Sequence, residues 1–298
     1  MGTTNSYLAY LNPVSYFSIT ETQPLRKFNW IKDPKKPQES DFLVISERKT
    51  IVDLYDLTTN KQFPSIYDQG ELGSCTANAL SCAVSFDYLN NFVKLSQSSS
   101  SSSSSSSSVT FNPSRLYLYY KERERENDIP NDNGAILADG VNVLLSKGVC
   151  SEEQWPYIIN KFSTKPPVEC DTDALQHKLV TCKLVNQTQH DLESCISSGF
   201  PVVFGFVVYN DIRNISASNN FILPMPKFGE PSIGGHAVII VGYDSTKKLF
   251  KIRNSWGEKW GDKGHFYMHY DYVLNFNLAS DFWILTSMQD LHTKINQV

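Results

Sequence analysis

The sequence predicts an α+β protein built as two lobes, and two observations carry that expectation. Ala79, Cys82, Ala83, Phe86 and Leu89 recur at spacings of three and four, the period of a helix, and two further helices are expected before residue 148. From residue 179 onward the chain turns to short runs rich in β-branched and aromatic residues, separated by turns, as strands require. Helices in one half and strands in the other define an α+β arrangement, and a cleft between two lobes is a common place for an active site.

Composition bounds the function. The chain has 298 residues, room for one large domain or two small ones, and 41% hydrophobic residues supply a core. Charged residues make up 19%, too few for a charged disordered chain. A net charge of −4 argues against general affinity for nucleic acid or an anionic membrane surface. No apolar run approaches the roughly 20 residues a membrane helix needs. The opening MGTTNSYLAYLNPVSYF has neither a basic start nor a compact apolar block, so no signal peptide is expected.

The elements follow in order. Residues 1–60 read as an irregular N-terminal extension broken by Pro13, Pro24, Pro34 and Pro37, with a short strand expected in DFLVISE (41–47). QFPSIYDQGELGS (62–74) is a loop, and Ala79, Cys82, Ala83, Phe86 and Leu89 then mark an amphipathic helix from Cys75 to about Val93. Residues 98–108 are eleven consecutive serines, which cannot bury apolar surface and are expected to form a disordered insertion. NPSRLYLYYKERERE (112–126) predicts a second helix, capped by Ser114, whose alternating charges form a solvated face with intrahelical pairs. ILADGVNVLLSKG (136–148) predicts a third helix, stopped at Gly148. LVTCKLV (179–185), PVVFGFVVY (201–209), HAVIIVGY (236–243), LFKIRNSW (249–256) and HFYMHY (265–270) are the expected strands.

The six cysteines are Cys75, Cys82, Cys150, Cys170, Cys182 and Cys195. No CxxC occurs, which excludes a zinc ribbon or thioredoxin motif, and no metal or cofactor is expected. If one cysteine is a free nucleophile, the other five cannot all pair; they read as small buried hydrophobes in a reducing compartment.

Three segments carry chemistry: Gln69-Gly70-Glu71-Leu72-Gly73-Ser74-Cys75 at a loop-to-helix junction, Gly234-Gly235-His236-Ala237 opening an apolar strand, and Asn254-Ser255-Trp256-Gly257 closing the next. The turn DSTKK between the last two predicts a hairpin that sets His236 beside Asn254. A thiol at a helix N-terminus is turned towards thiolate by unpaired backbone N–H groups, and an imidazolium from His236 would stabilise it further and later protonate a leaving amine. Asn254 would orient the imidazole, Trp256 would shield that bond from water, and the Gln69 amide with the Cys75 N–H would hold a tetrahedral oxyanion.

In these residues the chain resembles the papain/cathepsin cysteine peptidases, through the ordered motifs DQG-x-x-GSC, GGHA and NSWG-x-x-WG-x-x-G over most of residues 62–285. The interval from Cys75 to His236 is 161 residues, and removing the serines leaves 150, close to that family's spacing. The resemblance implies a papain-like fold with a helical left lobe at about 61–175, a β-barrel-like right lobe at about 176–298, and the active site between them. It implies peptide or protein substrates. It also implies a side-chain pocket lined by Gly134 and Ala135 from one lobe and by Gly205, Ala237 and Asp281 from the other. Leu72 stands where secreted members carry a disulfide cysteine, and Thr76 where they carry an aromatic, in keeping with a microbial or viral branch working in a reducing compartment or a virion. Competing readings are a non-catalytic peptide-binding protein on this scaffold and a thiol acyltransferase.

The extension is too short and proline-rich for the helical prosegment of the lysosomal members. Yet Tyr7, Tyr10, Tyr16, Phe17, Phe28, Trp30 and Phe42 are many aromatics for a free tail, so it is expected to dock on the peptidase body. Docking across the cleft would make it an inhibitory propeptide; docking elsewhere would make it an extra layer.

Overall fold

The computed structural model describes residues 25–45, 52–92 and 111–287. The serine run, the aromatics Tyr7 to Phe17 and the end of DFLVISE lie outside the described residues. In chain order the first elements are Trp30–Ile31 (β1), Leu54–Asp56 (β2), Leu57–Asn60 (α1), Cys75–Asp87 (α2), Arg115–Glu126 (α3), Ala135–Ile136 (β3), Leu137–Ser146 (α4) and Val168–Ala174 (α5). Then come Thr181–Leu184 (β4), Gln189–Ser197 (α6), Val202–Val208 (β5), Ile222–Leu223 (β6), Gly234–Asp244 (β7), Leu249–Arg253 (β8), His265–His269 (β9), Tyr270–Val273 (α7) and Ala279–Thr286 (β10). The helical first half and strand-rich second half stand as expected.

The large sheet runs β4-β10-β5-β7-β8-β9-β6, with β2 added against β7. Its end strands do not meet, so the right lobe is a large mixed sheet and not the barrel-like body expected. The β4 edge is taken by the N-terminal segment, where Phe42 bridges Leu184 and the Leu43 N–H donates to the Leu184 carbonyl at 2.7 Å. At the other end, β6 has only two residues. Phe42 and Leu43 thus form an edge contact after a 3₁₀ turn over Glu39–Asp41, in place of the strand expected over the described part of 41–47.

Two apolar cores divide along β7. Ala237, Ile239 and Val241 face the helical lobe, whereas Val238 and Ile240 face the sheet's own core. That alternation is the two-residue period of a strand buried on both faces, which explains the unbroken run HAVIIV. Helix α2 packs against β7 and is buried along its whole length, not on one face as its spacing suggested. Its polar residues therefore find internal partners: Thr76 donates to Glu122 at 2.8 Å, and Asp87 accepts from the Thr286 hydroxyl and the Ser287 N–H, each at 2.7 Å.

Helix α3 begins at the expected cap, with the Ser114 hydroxyl accepting the Tyr117 N–H at 3.1 Å. Its charged run is not a solvated face. Lys121, Glu122 and Arg123 are buried. The Arg123 guanidinium donates to the carbonyls of Tyr119, Ile129, Asn131 and Phe162, an arrangement that offsets the cost of burying its charge. Lys121 reaches Asp171 at 2.8 Å and Arg125 reaches Asp139 at 2.9 Å, so most of the pairs join α3 to its neighbours.

Candidate active site

Cys75 is the first residue of α2. Ser74 occupies the N-cap position without capping through its side chain; its hydroxyl instead bonds the Tyr157 hydroxyl at 2.5 Å. The first turn thus keeps N–H groups that favour an anion. The backbone N–H groups of Ala237, Asn29 and Thr76 favour the Cys75 thiolate and so act to lower the thiol's pKa.

His236 enters on β7, one residue before Ala237, and Asn254 follows β8 directly; the β7–β8 register sets Ile239 opposite Arg253 and brings the two side chains together. His236 Nε2 lies 2.8 Å from Asn254 Oδ1, and the same oxygen accepts the Ser255 N–H at 2.8 Å. Ser255 thereby fixes that atom as the acceptor, so Nε2 carries the imidazole proton and donates it. Nδ1 remains as the free nitrogen, buried without a hydrogen-bond partner among the described residues. Trp256 stacks on the imidazole with ring centres 4.8 Å apart, and Trp260 meets Trp256 edge-on at 4.7 Å.

Gln69 is fully buried and doubly anchored. Its Oε1 accepts the Ser255 hydroxyl at 2.7 Å, and Nε2 donates to the Leu72 carbonyl at 2.9 Å. An amide nitrogen carries two hydrogens, so one remains beyond the bond to Leu72. Tyr157, which no sequence pattern singled out, braces this loop by donating to the Gln69 carbonyl at 3.0 Å. Asp132 is a second overlooked residue: its carboxylate accepts the Gly73 N–H at 3.0 Å and the Tyr119 hydroxyl at 2.6 Å.

Residues 25–33 lie as a strap over these groups. Phe28 packs edge-on against His236 and Trp256, with ring centres 6.4 and 5.8 Å away. β1 pairs in parallel with β3, setting Trp30 against Ala135, while the Gly235 N–H donates to the Phe28 carbonyl at 3.1 Å on the other side. The strap therefore lies between the Gly134–Ala135 segment and the start of β7. Ion pairs hold its leading end: Arg26 to Asp68 and Lys27 to Asp132, both at 2.5 Å. Asn29 Nδ2 donates to the Asp132 carbonyl at 2.8 Å.

All five residues expected to line a side-chain pocket stand beside this strap or the thiol. A Cβ on Gly134 would come within 1.6 Å of the Asn29 carbonyl oxygen, and one on Gly205 within 1.9 Å of the Trp30 ring. Ala237 pairs with Gly205 across β7 and β5. Asp281, in the left-handed region at φ 60°, accepts the Asp33 N–H at 3.3 Å, and burial pushes its carboxyl up to about 6.

The electrostatics differ from the sequence expectation of a depressed thiol pKa. Burial pushes the Cys75 thiol up to about 12, outweighing the lowering by those three N–H groups, and burial pulls His236 down to about 4 against the bond to Asn254. Beneath the strap, thiol and imidazole are both neutral at pH 7.

A sheet lobe and a helical lobe with a thiol, imidazole and amide at their junction define a cysteine peptidase. The family model for papain family cysteine proteases matches residues 51–284. The chain belongs to the papain family and is a hydrolase of peptide or protein substrates. It is 38% identical over 290 residues to an uncharacterized peptidase C1-like protein of Acanthamoeba polyphaga mimivirus, covering 89% of this chain and 88% of that one. It matches the crystal structure of xylellain, a cysteine protease from Xylella fastidiosa, with a TM-score of 0.73 and 35% identity, covering 89% of this chain and 98% of that chain. A digestive procathepsin L 3 of Tenebrio molitor larval midgut shares the fold at 16% identity and a TM-score of 0.60, covering 83% of this chain and 74% of that chain. No helix among the described residues is long and apolar enough to cross a membrane.

Proposed function

We propose that Cys75 hydrolyses peptide bonds through an acyl-enzyme, and that the segment before Val52 keeps the enzyme latent by occupying the cleft. In the open enzyme His236 Nδ1 takes the proton of Cys75, and the thiolate attacks the substrate carbonyl carbon. The carbonyl oxygen becomes an oxyanion held by the free Gln69 N–H and the Cys75 N–H. The intermediate collapses to a thioester as the imidazolium protonates the leaving amine. Water, deprotonated by His236, attacks the thioester, and the carboxylic acid leaves with Cys75 restored. Asn254 holds the imidazole in the tautomer this sequence needs.

The observation that carries latency is the run Phe28–Asn29–Trp30, set over His236 and against Cys75. The carbonyls of Phe28 and Asn29 are engaged by the N–H groups of Gly235 and Ala135, at 3.1 and 3.3 Å, which supports reading this run as an inhibitor and not a substrate. The strap is thus an inhibitor by geometry, and its removal falls to cleavage elsewhere in the extension or to another molecule. The peptidase body is taken to follow the extension, residues 61–298. The trimmed form should nevertheless begin near Val52, because β2 hydrogen-bonds to β7 from Leu54 to Asp56.

The test compares the full chain with a form starting at Val52, on a small fluorogenic peptide. The short form should be faster, and a synthetic 25–45 peptide should suppress it competitively. A short form that is folded and no faster would leave the strap a structural layer.

A further inference from the structure

The guanidinium of Arg26 sits in a cradle of oxygens beside the stacked Trp256 and His236. Its Nη1 donates to Asp68 Oδ1 at 2.5 Å and to the Gly70 carbonyl at 3.1 Å. Its Nη2 donates to the Trp256 carbonyl at 3.2 Å and to Asp68 Oδ2 at 3.5 Å. The guanidinium also lies over the Trp256 ring, 5.9 Å from its centre. The Arg26 side chain is 9% exposed, although that of Asp68 is 51% exposed. A carboxylate, two carbonyls and an aromatic face match a planar, forked cation better than the compact charge of an ammonium.

The cradle is built by the peptidase body, not by the strap. Asp68 and Trp256 form an isolated antiparallel bridge. On either side of it, the Gln69 N–H donates to the Ser255 carbonyl and the Gly257 N–H to the Tyr67 carbonyl, each at 2.9 Å. The Gly70 N–H donates to Asp68 Oδ1 at 2.9 Å and so orients the carboxylate. Gly257, at φ 80°, leaves room for it, since a Cβ there would stand 3.1 Å from Asp68 Oδ2. The two segments joined here are the ones that carry Gln69 and Asn254, so the cradle holds its shape whenever the site does. Without Arg26 its oxygens lose a partner that a substrate can replace.

Its place assigns it a side of the cleft. Trp30 marks one side, against Ala135 and Gly205, where the family resemblance sets the main side-chain pocket. Arg26 lies instead over Trp256, which stacks on His236, the group that protonates the leaving amine under the proposed mechanism. The geometry points to a second specificity subsite, formed by Asp68 with the carbonyls of Gly70 and Trp256, that takes an arginine side chain from the leaving-amine side of the substrate. This inference rests on the peptidase reading above and adds a preference that the reading does not contain.

The test uses the full chain carrying Arg26→Ala and Trp30→Ala, which empties the cradle and loosens the strap. The form starting at Val52 serves as a second open enzyme, so the answer does not hang on one variant. Quenched fluorescent peptides share one acyl half, with Leu at the main pocket. They carry Arg, Lys, citrulline or Leu at the first, second or third position after the scissile bond. Citrulline has the shape of arginine without its charge, so that comparison isolates the charge-assisted bonds. At one of these positions kcat/KM should be higher for Arg than for citrulline by about fivefold or more, with Lys between them. Asp68→Asn should bring that ratio below about twofold. A ratio between two peptides is insensitive to general damage at the Gln69 loop, which a purely structural role for Asp68 would cause. Singly labelled peptides are also bound to the Cys75→Ala versions and followed by fluorescence anisotropy, where the same preference should appear in Kd without turnover. Binding that favours Arg, with no peptide cleaved by the intact thiol, would sustain the subsite and sink the peptidase reading. Cleavage with Arg and citrulline equal at all three positions would overturn the subsite and leave the peptidase reading standing. An Arg preference that survives Asp68→Asn would overturn it as well.

Discussion

Trp30 fills the space that Gly205 leaves by lacking a side chain: a Cβ on Gly205 would stand 1.9 Å from Cε2 of the indole. The strap is thus fitted to gaps in the cleft wall. Gly134, Gly234 and Gly235 are shaped the same way around Asn29, Phe28 and Trp30. The wall that admits the strap is the wall that the family resemblance assigns to substrate, so under the proposed latency strap and substrate would compete for one surface.

The first prediction separates the forces holding the strap. Ion pairs with a water-exposed partner, such as Arg26–Asp68 and Lys27–Asp132, contribute about 0–1 kcal/mol each. Burying a large apolar side chain contributes on the order of 2–3 kcal/mol, and Trp30 is buried. Trp30→Ala should therefore raise the activity of the full chain more than Arg26→Ala or Lys27→Ala. Rates on a small fluorogenic peptide decide it, and equal rates for all three would mean that Trp30 is not the anchor.

The second concerns protonation. Burial holds the Cys75 thiol at about 12 and His236 at about 4 in the covered site. The thiol is therefore un-ionised at pH 7, and its thiolate grows with pH throughout the neutral and mildly alkaline range. Iodoacetamide should label Cys75 of the full chain at a rate that climbs about tenfold per pH step from 7 to 9. In the form starting at Val52 the rate should level off at a much lower pH, because water and the imidazolium now support the thiolate. Cys75→Ala should abolish both labelling and turnover. Parallel profiles for the two forms would show that the strap does not set the ionisation.

A third prediction bears on Gln69. Losing one oxyanion donor typically costs about 10²–10³ in rate. In the short form, Gln69→Ala should lower kcat by that order with little change in KM. Because Ser255 anchors Gln69, Ser255→Ala should give a milder loss in the same direction. A fall of less than threefold for Gln69→Ala would make Gln69 a structural residue.

The sequence displayed the candidate site residues more fully than their setting. Cys75, His236 and Asn254 were legible because each sits in a short motif, and the DSTKK turn fixed the register that brings two of them together. β10 escaped notice because Ser280 and Asp281 interrupt its apolar run, where the ladder shifts between Ser280 and Trp283. Arg123 looked solvated because its partners are backbone carbonyls from distant loops, which no charge pattern displays. The strap's aromatic surplus was visible, but its destination was not: the surface that receives it is defined by glycines, and a missing side chain carries no periodic signal.

The last prediction concerns what the pocket accepts. Trp30 occupies the space beside Ala135 and Gly205, so a large aromatic or aliphatic side chain should fit once the strap is gone. Asp281 adds an acid near that space, accepting the Asp33 N–H. Under the strap its carboxyl is raised to about 6 by burial. Removing the strap returns water to it, which lowers that value towards the ordinary range of about 4. In the short form the carboxylate is therefore ionised at pH 7 and attracts a basic side chain, and protonation removes that attraction as the pH falls through the value reached. Matched peptides with Leu or Arg at this subsite, assayed from pH 4 to 8, should show the Arg-to-Leu ratio of kcat/KM rising with pH. Asp281→Asn should flatten the ratio while leaving cleavage of the Leu peptide within about twofold. A ratio that is flat in the unsubstituted enzyme, and unchanged by Asp281→Asn, would remove Asp281 from the substrate pocket.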